Sequence, residues 1–129
     1  MDKNNNNFEN LVFAELDKLA AKNKITLFRE YGIKGKLSTY NIDFYFPYIK
    51  LAIEADEAHH KYRLDQDGIR QQDIEDSSGC CFFRINTNIK LSKQIKELKI
   101  IIKHKIAVTV LVKNNTLNHR LKHLSALTR

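Results

Sequence analysis

The sequence predicts an α/β fold, a mixed sheet flanked by helices in the order αβββαβα, and three stretches of the chain carry that expectation. Residues 40–56 contain two runs of alternating apolar and polar residues on either side of the only proline, Pro47, which is the period-two signature of paired strands. Upstream, Phe8, Leu11, Val12, Leu16 and Leu19 recur at three and four, the stripe of a helix packed on one side. Downstream, the short apolar run Cys80–Ile85 fits a buried strand inserted beside the hairpin.

In order, the asparagine-rich residues 1–7 form a polar lead expected to be disordered, with Asn6 or Asn7 capping the helix that follows. On that helix Glu9, Lys18 and Lys22 are expected to face water. Ile25–Tyr31 reads as the first strand and Ile33–Ser38 as a glycine-flanked loop. In the hairpin, Tyr40, Ile42, Phe44 and Phe46 share one expected face, and Ile49, Leu51, Ile53 and Ala55 form the apolar side of the return strand. Pro47-Tyr48 is the expected turn, because proline presets one backbone angle and cannot donate to a ladder.

A helix over about 66–78, with Ile69 and Ile74 as its anchors, should stop at Gly79. A lysine-rich helix with an apolar face from Ile89 to Ile102 should then lead into a strand at 106–112, favoured by its β-branched content. Asn114-Asn115 is the expected break. Residues 114–129 read as a basic amphipathic helix, with Leu117, Leu121, Leu124 and Leu127 on one face and His119, Arg120, Lys122 and His123 on the other. Such a tail can dock on the body, pair with a second copy in a homodimer, or lie along a phosphate backbone. The sequence shows no internal repeat, Gly-rich phosphate loop, Ser/His/Asp arrangement or heptad run of useful length.

The hairpin also carries acidic residues, Asp43 on one strand and Glu54 and Asp56 on the next. Paired strands would set Asp43 and Glu54 roughly 5–8 Å apart at their side-chain bases. Carboxylates at that range repel unless a divalent ion or a lysine neutralises them. The same three residues also fit the solvent side of an exposed hairpin, and spacing alone does not choose between the two.

The order Asp43, a short turn, Glu54-x-Asp56, His60, Arg70 on a polar helix, and Gly79 before a strand ending in Arg84 resembles the PD-(D/E)XK nuclease superfamily. Within it, the pattern looks like the very-short-patch-repair-type endonuclease domains, over roughly residues 25–100. It is also similar to nuclease-like domains at the ends of some viral and phage DNA-binding proteins. The chain departs from the motif in carrying Asp56 where a lysine is usual, and in lacking a proline in the turn before Asp43.

The resemblance implies a restriction-endonuclease-like αβββαβ core over residues 8–113 and metal-dependent hydrolysis of DNA phosphodiester bonds. Asp43, Glu54 and the backbone carbonyl of Ala55 would hold Mg²⁺ or Mn²⁺. Asp56 or His60, or its neighbour His59, would orient or deprotonate the attacking water. Arg70, Gln71 and Arg84 would contact DNA phosphates, although a surface ion pair or a structural salt bridge serves each arginine equally well. Glu30 would join the metal site as an upstream acid, or stand as a surface charge beside Arg29. The alternative is a non-catalytic DNA-binding module that retains the nuclease fold, and a third class is an interaction domain assembled through the C-terminal helix.

Composition fits these expectations. The 129 residues suit one domain, 43% hydrophobic and 29% charged content is that of an ordinary globular protein, and the formal charge of +7 favours a polyanion partner such as DNA. No run is long enough to span a membrane and no secretory signal is evident. The adjacent Cys80 and Cys81, on opposite sides of a strand, are not expected to bridge, which fits a reducing, cytoplasmic setting without secretion.

Overall fold

A computed structural model of the protein describes residues 3–56 and 64–127. Its elements run α1 (Lys3–Asn23), β1 (Phe28–Lys34), β2 (Thr39–Phe46), a 3₁₀ turn (Pro47–Ile49), β3 (Leu51–Asp56), α2 (Leu64–Ser78), β4 (Cys81–Asn86) and α3 (Leu91–Leu127). The four strands form one sheet in the order β1-β2-β3-β4. The first three pair antiparallel, while β4 joins β3 in parallel after the α2 crossover. The sheet is therefore mixed and flanked by helices, as the pattern of apolar runs predicts.

Helices cover both faces. On one side Val12, Leu16 and Leu19 of α1 and Ile95, Leu98 and Ile102 of α3 close over Phe44, Phe46, Leu51, Ile53 and Ile85. On the other, Ile74 of α2 packs with Ile33, Ile42, Tyr45, Ala52 and Cys80. The chain turns at Pro47 through a 3₁₀ turn that Lys50 closes in the left-handed region (φ 49°), its N–H donating to the Pro47 carbonyl at 3.2 Å. Gly79, at φ +70°, ends α2 and donates to the Glu75 carbonyl at 2.8 Å. Both cysteines are free, Cys80 buried and Cys81 exposed. Among the described residues no helix is long and apolar enough to cross a membrane.

Four local expectations are corrected. Helix α1 begins at Lys3, inside the lead expected to be disordered, because asparagine costs a helix only a fraction of a kcal/mol per residue once the turns beyond it are anchored. Ile69 is 59% exposed, leaving Ile74 as the buried anchor of α2. The strand expected at 106–112 and the break at Asn114-Asn115 are instead continuous α3, 37 residues long. Extending a formed helix needs no new nucleus, and β-branched residues and asparagine lower propensity only mildly.

The fourth correction concerns the hairpin. Tyr40 and Ile42 pack on the α2 side, whereas Phe44 and Phe46 pack on the α1/α3 side. Strand β2 thus changes face at Asp43. Its neighbour β1 does the same at Glu30, where Arg29 and Tyr31 pair with Phe44 and Ile42 and Glu30 itself takes a left-handed backbone (φ 54°). A non-glycine residue in that region costs roughly 1–2 kcal/mol. The strained residue lies directly across from the acid that the sequence singles out.

Candidate active site

The site forms where two strands part. β2 and β3 pair from Phe46↔Leu51 to Phe44↔Ile53 and no further. The next residues in register, Asp43 and Glu54, occupy the opening. Their side chains replace the ladder: Asp43 Oδ2 accepts a hydrogen bond from the Ala55 N–H at 2.9 Å, and the Asp43 N–H reaches Glu54 Oε2 at 3.5 Å. The amide of Ala55, whose carbonyl was expected to serve a metal, therefore orients the Asp43 carboxylate.

Glu54 is the buried acid of the pair, 5% exposed. Burial first, then the Asp43 charge and a hydrogen bond with it, push its pKa up to about 7, against the pull of Arg70. Arg70 Nη2 lies 2.7 Å from Glu54 Oε1, yet the same nitrogen donates to the Asn41 carbonyl at 2.7 Å. Oε1 is left with a close ion pair and no aligned hydrogen bond, although it is shut off from water. A buried carboxylate oxygen in that condition is under-satisfied.

A third acid comes from α1. Glu9, expected to face water, is only partly exposed. Its pKa is raised by burial, then by the charge of Asp43 and a hydrogen bond with it, against Arg29. Arg29 holds this corner together: it lies 3.7 Å from Glu9 Oε2, donates to Asn10 Oδ1 at 2.7 Å, and sits 4.9 Å over the Phe13 ring and 5.8 Å over the Phe44 ring. The only signal for Glu9 in the sequence is its spacing one turn before Phe13. Glu30 is exposed on β1 and adds to the negative potential at Glu9.

A second polar group lies beside the first. Arg84, the register partner of Glu54 on β4, donates through Nη1 to Asp56 Oδ2 at 2.9 Å and through Nη2 to Gln71 Oε1 at 2.9 Å. Gln71 Nε2 in turn donates to Glu75 Oε1 at 2.9 Å. Asp56 is thereby committed to this arginine. Arg70 and Arg84 reach the acidic strands directly, whereas Gln71 bridges Arg84 and Glu75. His60 and His59 lie outside the described residues.

Among the described residues no group of three His, Cys, Asp or Glu side chains is gathered closely enough to hold a metal ion as it stands. The pair Asp43 and Glu54 nonetheless fits a hard cation: both offer oxygens, one oxygen lacks an aligned donor, and the pKa of Glu54 is raised by burial and by the Asp43 charge, both of which a bound cation would offset.

No known protein-family model matches the chain, and no curated protein is significantly similar to it in sequence. Among solved structures it is similar to the 5-hydroxymethylcytosine-specific restriction enzyme AbaSI, with a TM-score of 0.60 and 19% identity over 83% of this chain. The match covers 44% of that enzyme, so this chain spans less than half of its length. At that identity the likeness is one of fold, and the fold is restriction-endonuclease-like.

Proposed function

We propose that this chain is a metal-dependent DNA endonuclease domain of the PD-(D/E)XK type, akin to the very-short-patch-repair nucleases, which hydrolyses phosphodiester bonds at the opening between β2 and β3. One observation carries this reading: Glu54 is buried, pushed up to about 7, and left with an oxygen that no aligned donor satisfies, beside a second carboxylate at Asp43. Burying Glu54 against the half-buried carboxylate of Asp43 costs stability, and such an arrangement is retained where a cation completes it.

Asp43 and Glu54 would hold Mg²⁺ or Mn²⁺, with Glu9 bordering the ion. The ion would supply charge to the scissile phosphate and acidify a water. The chain's own residues do the positioning. The Ala55 amide fixes Asp43, the Asp43 amide steers Glu54, and Arg29 holds Glu9 against the sheet. Arg70 and Arg84 place two guanidinium groups near the carboxylates, where the family's lysine would put an ammonium. Asp56, paired with Arg84, acts as a positioning residue, which leaves His60, or its neighbour His59, as the proton acceptor that the resemblance implies. The formal charge of +7 favours DNA as the polyanion. The name of the similar enzyme specifies a modified cytosine; because this chain spans 44% of that enzyme, the function assigned here is strand cleavage, not base selection.

Incubating the protein with supercoiled plasmid in Mg²⁺, Mn²⁺ or EDTA tests the reading. Nicking in either metal that EDTA abolishes is the expected result, and nicking that persists in EDTA refutes it.

A second reading rests on the 2.7 Å contact between Arg70 and Glu54. The arginine can serve as a built-in counter-ion, making the chain a DNA-binding module that keeps the nuclease fold without the chemistry. It requires salt-sensitive DNA binding that is indifferent to EDTA, and an intact plasmid.

A further inference from the structure

Helix α3 extends well past the body it helps to form. Its last buried residue is Ile102, and from Ala107 to Leu127 every residue is exposed except the half-buried Thr109. Those 21 residues, roughly 30 Å of helix, carry large apolar side chains that are 40–69% exposed, from Val108 to Leu127. An isolated helix of this length is marginal in water, and exposed leucines do nothing to hold it. Some partner must bury them.

The pattern identifies the partner. Ala107, Val110, Asn114, Leu117, Leu121 and Leu124 alternate at spacings of three and four, the a and d positions of a coiled-coil seam. This seam lies about a quarter turn from the side facing the body, which runs through Ile102, Ile106, Thr109 and Lys113, the last with its ammonium 4.1 Å over the Tyr48 ring. The seam is therefore open to another chain. Its one polar member, Asn114, occupies an a position, where a buried asparagine favours two strands in a single register by pairing with its own copy. Asn114 is suited to meet an identical helix and poorly suited to a lipid surface or an unrelated apolar groove, where its amide would be unsatisfied.

Charge sets the direction. The two g positions at the middle of the seam are basic, Lys113 and Arg120, between the apolar Ile106 and Leu127, while the e positions Leu111, Asn118 and Ser125 are uncharged. In a parallel pair each basic g residue faces an uncharged e residue. In an antiparallel pair g faces g, setting lysine and arginine against their own kind. We infer that the distal half of α3 forms a parallel two-stranded coiled coil with a second copy of this chain, through a seam of Ala107, Val110, Asn114, Leu117, Leu121 and Leu124.

The test uses the 129-residue chain. Size-exclusion chromatography with light scattering at micromolar concentration should give a dimer, and Leu117→Glu with Leu121→Glu should give a monomer. Both leucines are exposed in the single chain, so the variant keeps its fold, checked by circular dichroism and thermal melting of the body. In a Cys81→Ser background, Leu124→Cys should form an interchain disulfide under mild oxidation, because a d position meets its own copy only in a parallel pair. A monomeric wild type, a dimer that survives the double substitution, or failure of Leu124→Cys to cross-link would each overturn the inference. So would a monomer whose binding to vesicles or DNA is what the two leucine substitutions abolish.

Discussion

Asp43 accepts a hydrogen bond from the Ala55 amide at 2.9 Å, across the point where β2 and β3 cease to pair. A ladder bond between the two backbones is thereby exchanged for a bond from one backbone to the other strand's carboxylate. The sheet stays tied together while its last two acids are turned toward one opening, and the consequences of that arrangement can be measured.

The first concerns pH. The Glu54 pKa in the fold, about 7, exceeds its ordinary 4.5. Between those values the folded state holds a proton that the unfolded state has released, so metal-free stability falls as pH rises through this window and levels off above it. The loss attributable to Glu54 is about 3 kcal/mol. Urea unfolding of wild type against Glu54→Gln from pH 4.5 to 8 in EDTA should show the steeper slope in the wild type, the raised Glu9 adding the same smaller fall to both. Equal slopes would mean that Glu54 is ordinary.

Glu9 should show opposed effects. Its carboxyl is crowded by burial and by Asp43, so Glu9→Gln should raise the melting temperature in EDTA. In Mg²⁺ the same variant should gain less from the ion than wild type does, because the stabilisation a ligand gives grows with the logarithm of its affinity. Differential scanning calorimetry in the two conditions reads both, and unchanged affinity would remove Glu9 from the site.

Asp56 and Arg84 should behave as one unit. If Asp56 positions Arg84, then Asp56→Asn and Arg84→Met each slow nicking to a similar extent and the double variant is little worse, with a stability coupling of about 1 kcal/mol for this half-exposed pair. Loss of nicking in Asp56→Asn with Arg84→Met nearly normal would instead give Asp56 a direct chemical role.

Away from the site, Asp73 locks α2 to the β1–β2 loop. It accepts bonds from the Lys36 and Leu37 amides at 2.8 and 2.9 Å and from the Tyr40 hydroxyl at 2.8 Å. Burial alone would raise its pKa, but these bonds and that of Ser77 outweigh burial and hold it below the ordinary value. A Cβ at Gly35 would run into the Asp73 carboxyl and come within 2.8 Å of the Tyr40 ring. Gly35→Ala should therefore lower the melting temperature, whereas Gly32→Ala, with open space around it, should change it little.

Much of this architecture is legible in the sequence because periodicity reports burial. The stripe of α1, apart from Leu11, which is 60% exposed, and the alternation of β3 follow from it, and the Asp43–Glu54 pair follows from the hairpin they share; β4, expected to be buried, lies at the sheet edge with only Ile85 fully covered. What periodicity hides is tertiary. A single left-handed residue at Glu30 and the matching switch at Asp43 reverse the faces of Tyr40 and Ile42, and no alternating pattern encodes such a reversal. Glu9 enters the site only because α1 crosses Asp43. The heptad of α3 is obscured by Val108, Val110 and Val112, which alternate as a strand would while the helix simply continues through them.

The decisive measurement is the nicking rate of Glu54→Gln relative to wild type on one supercoiled plasmid in Mg²⁺, with DNA affinity determined in parallel in Ca²⁺. We expect a loss of about a hundredfold or more in rate, the scale of a metal-held contribution of several kcal/mol, with affinity nearly unchanged. Nicking by Glu54→Gln at the wild-type rate would contradict the assignment of the opening between β2 and β3 as the place where DNA is cut.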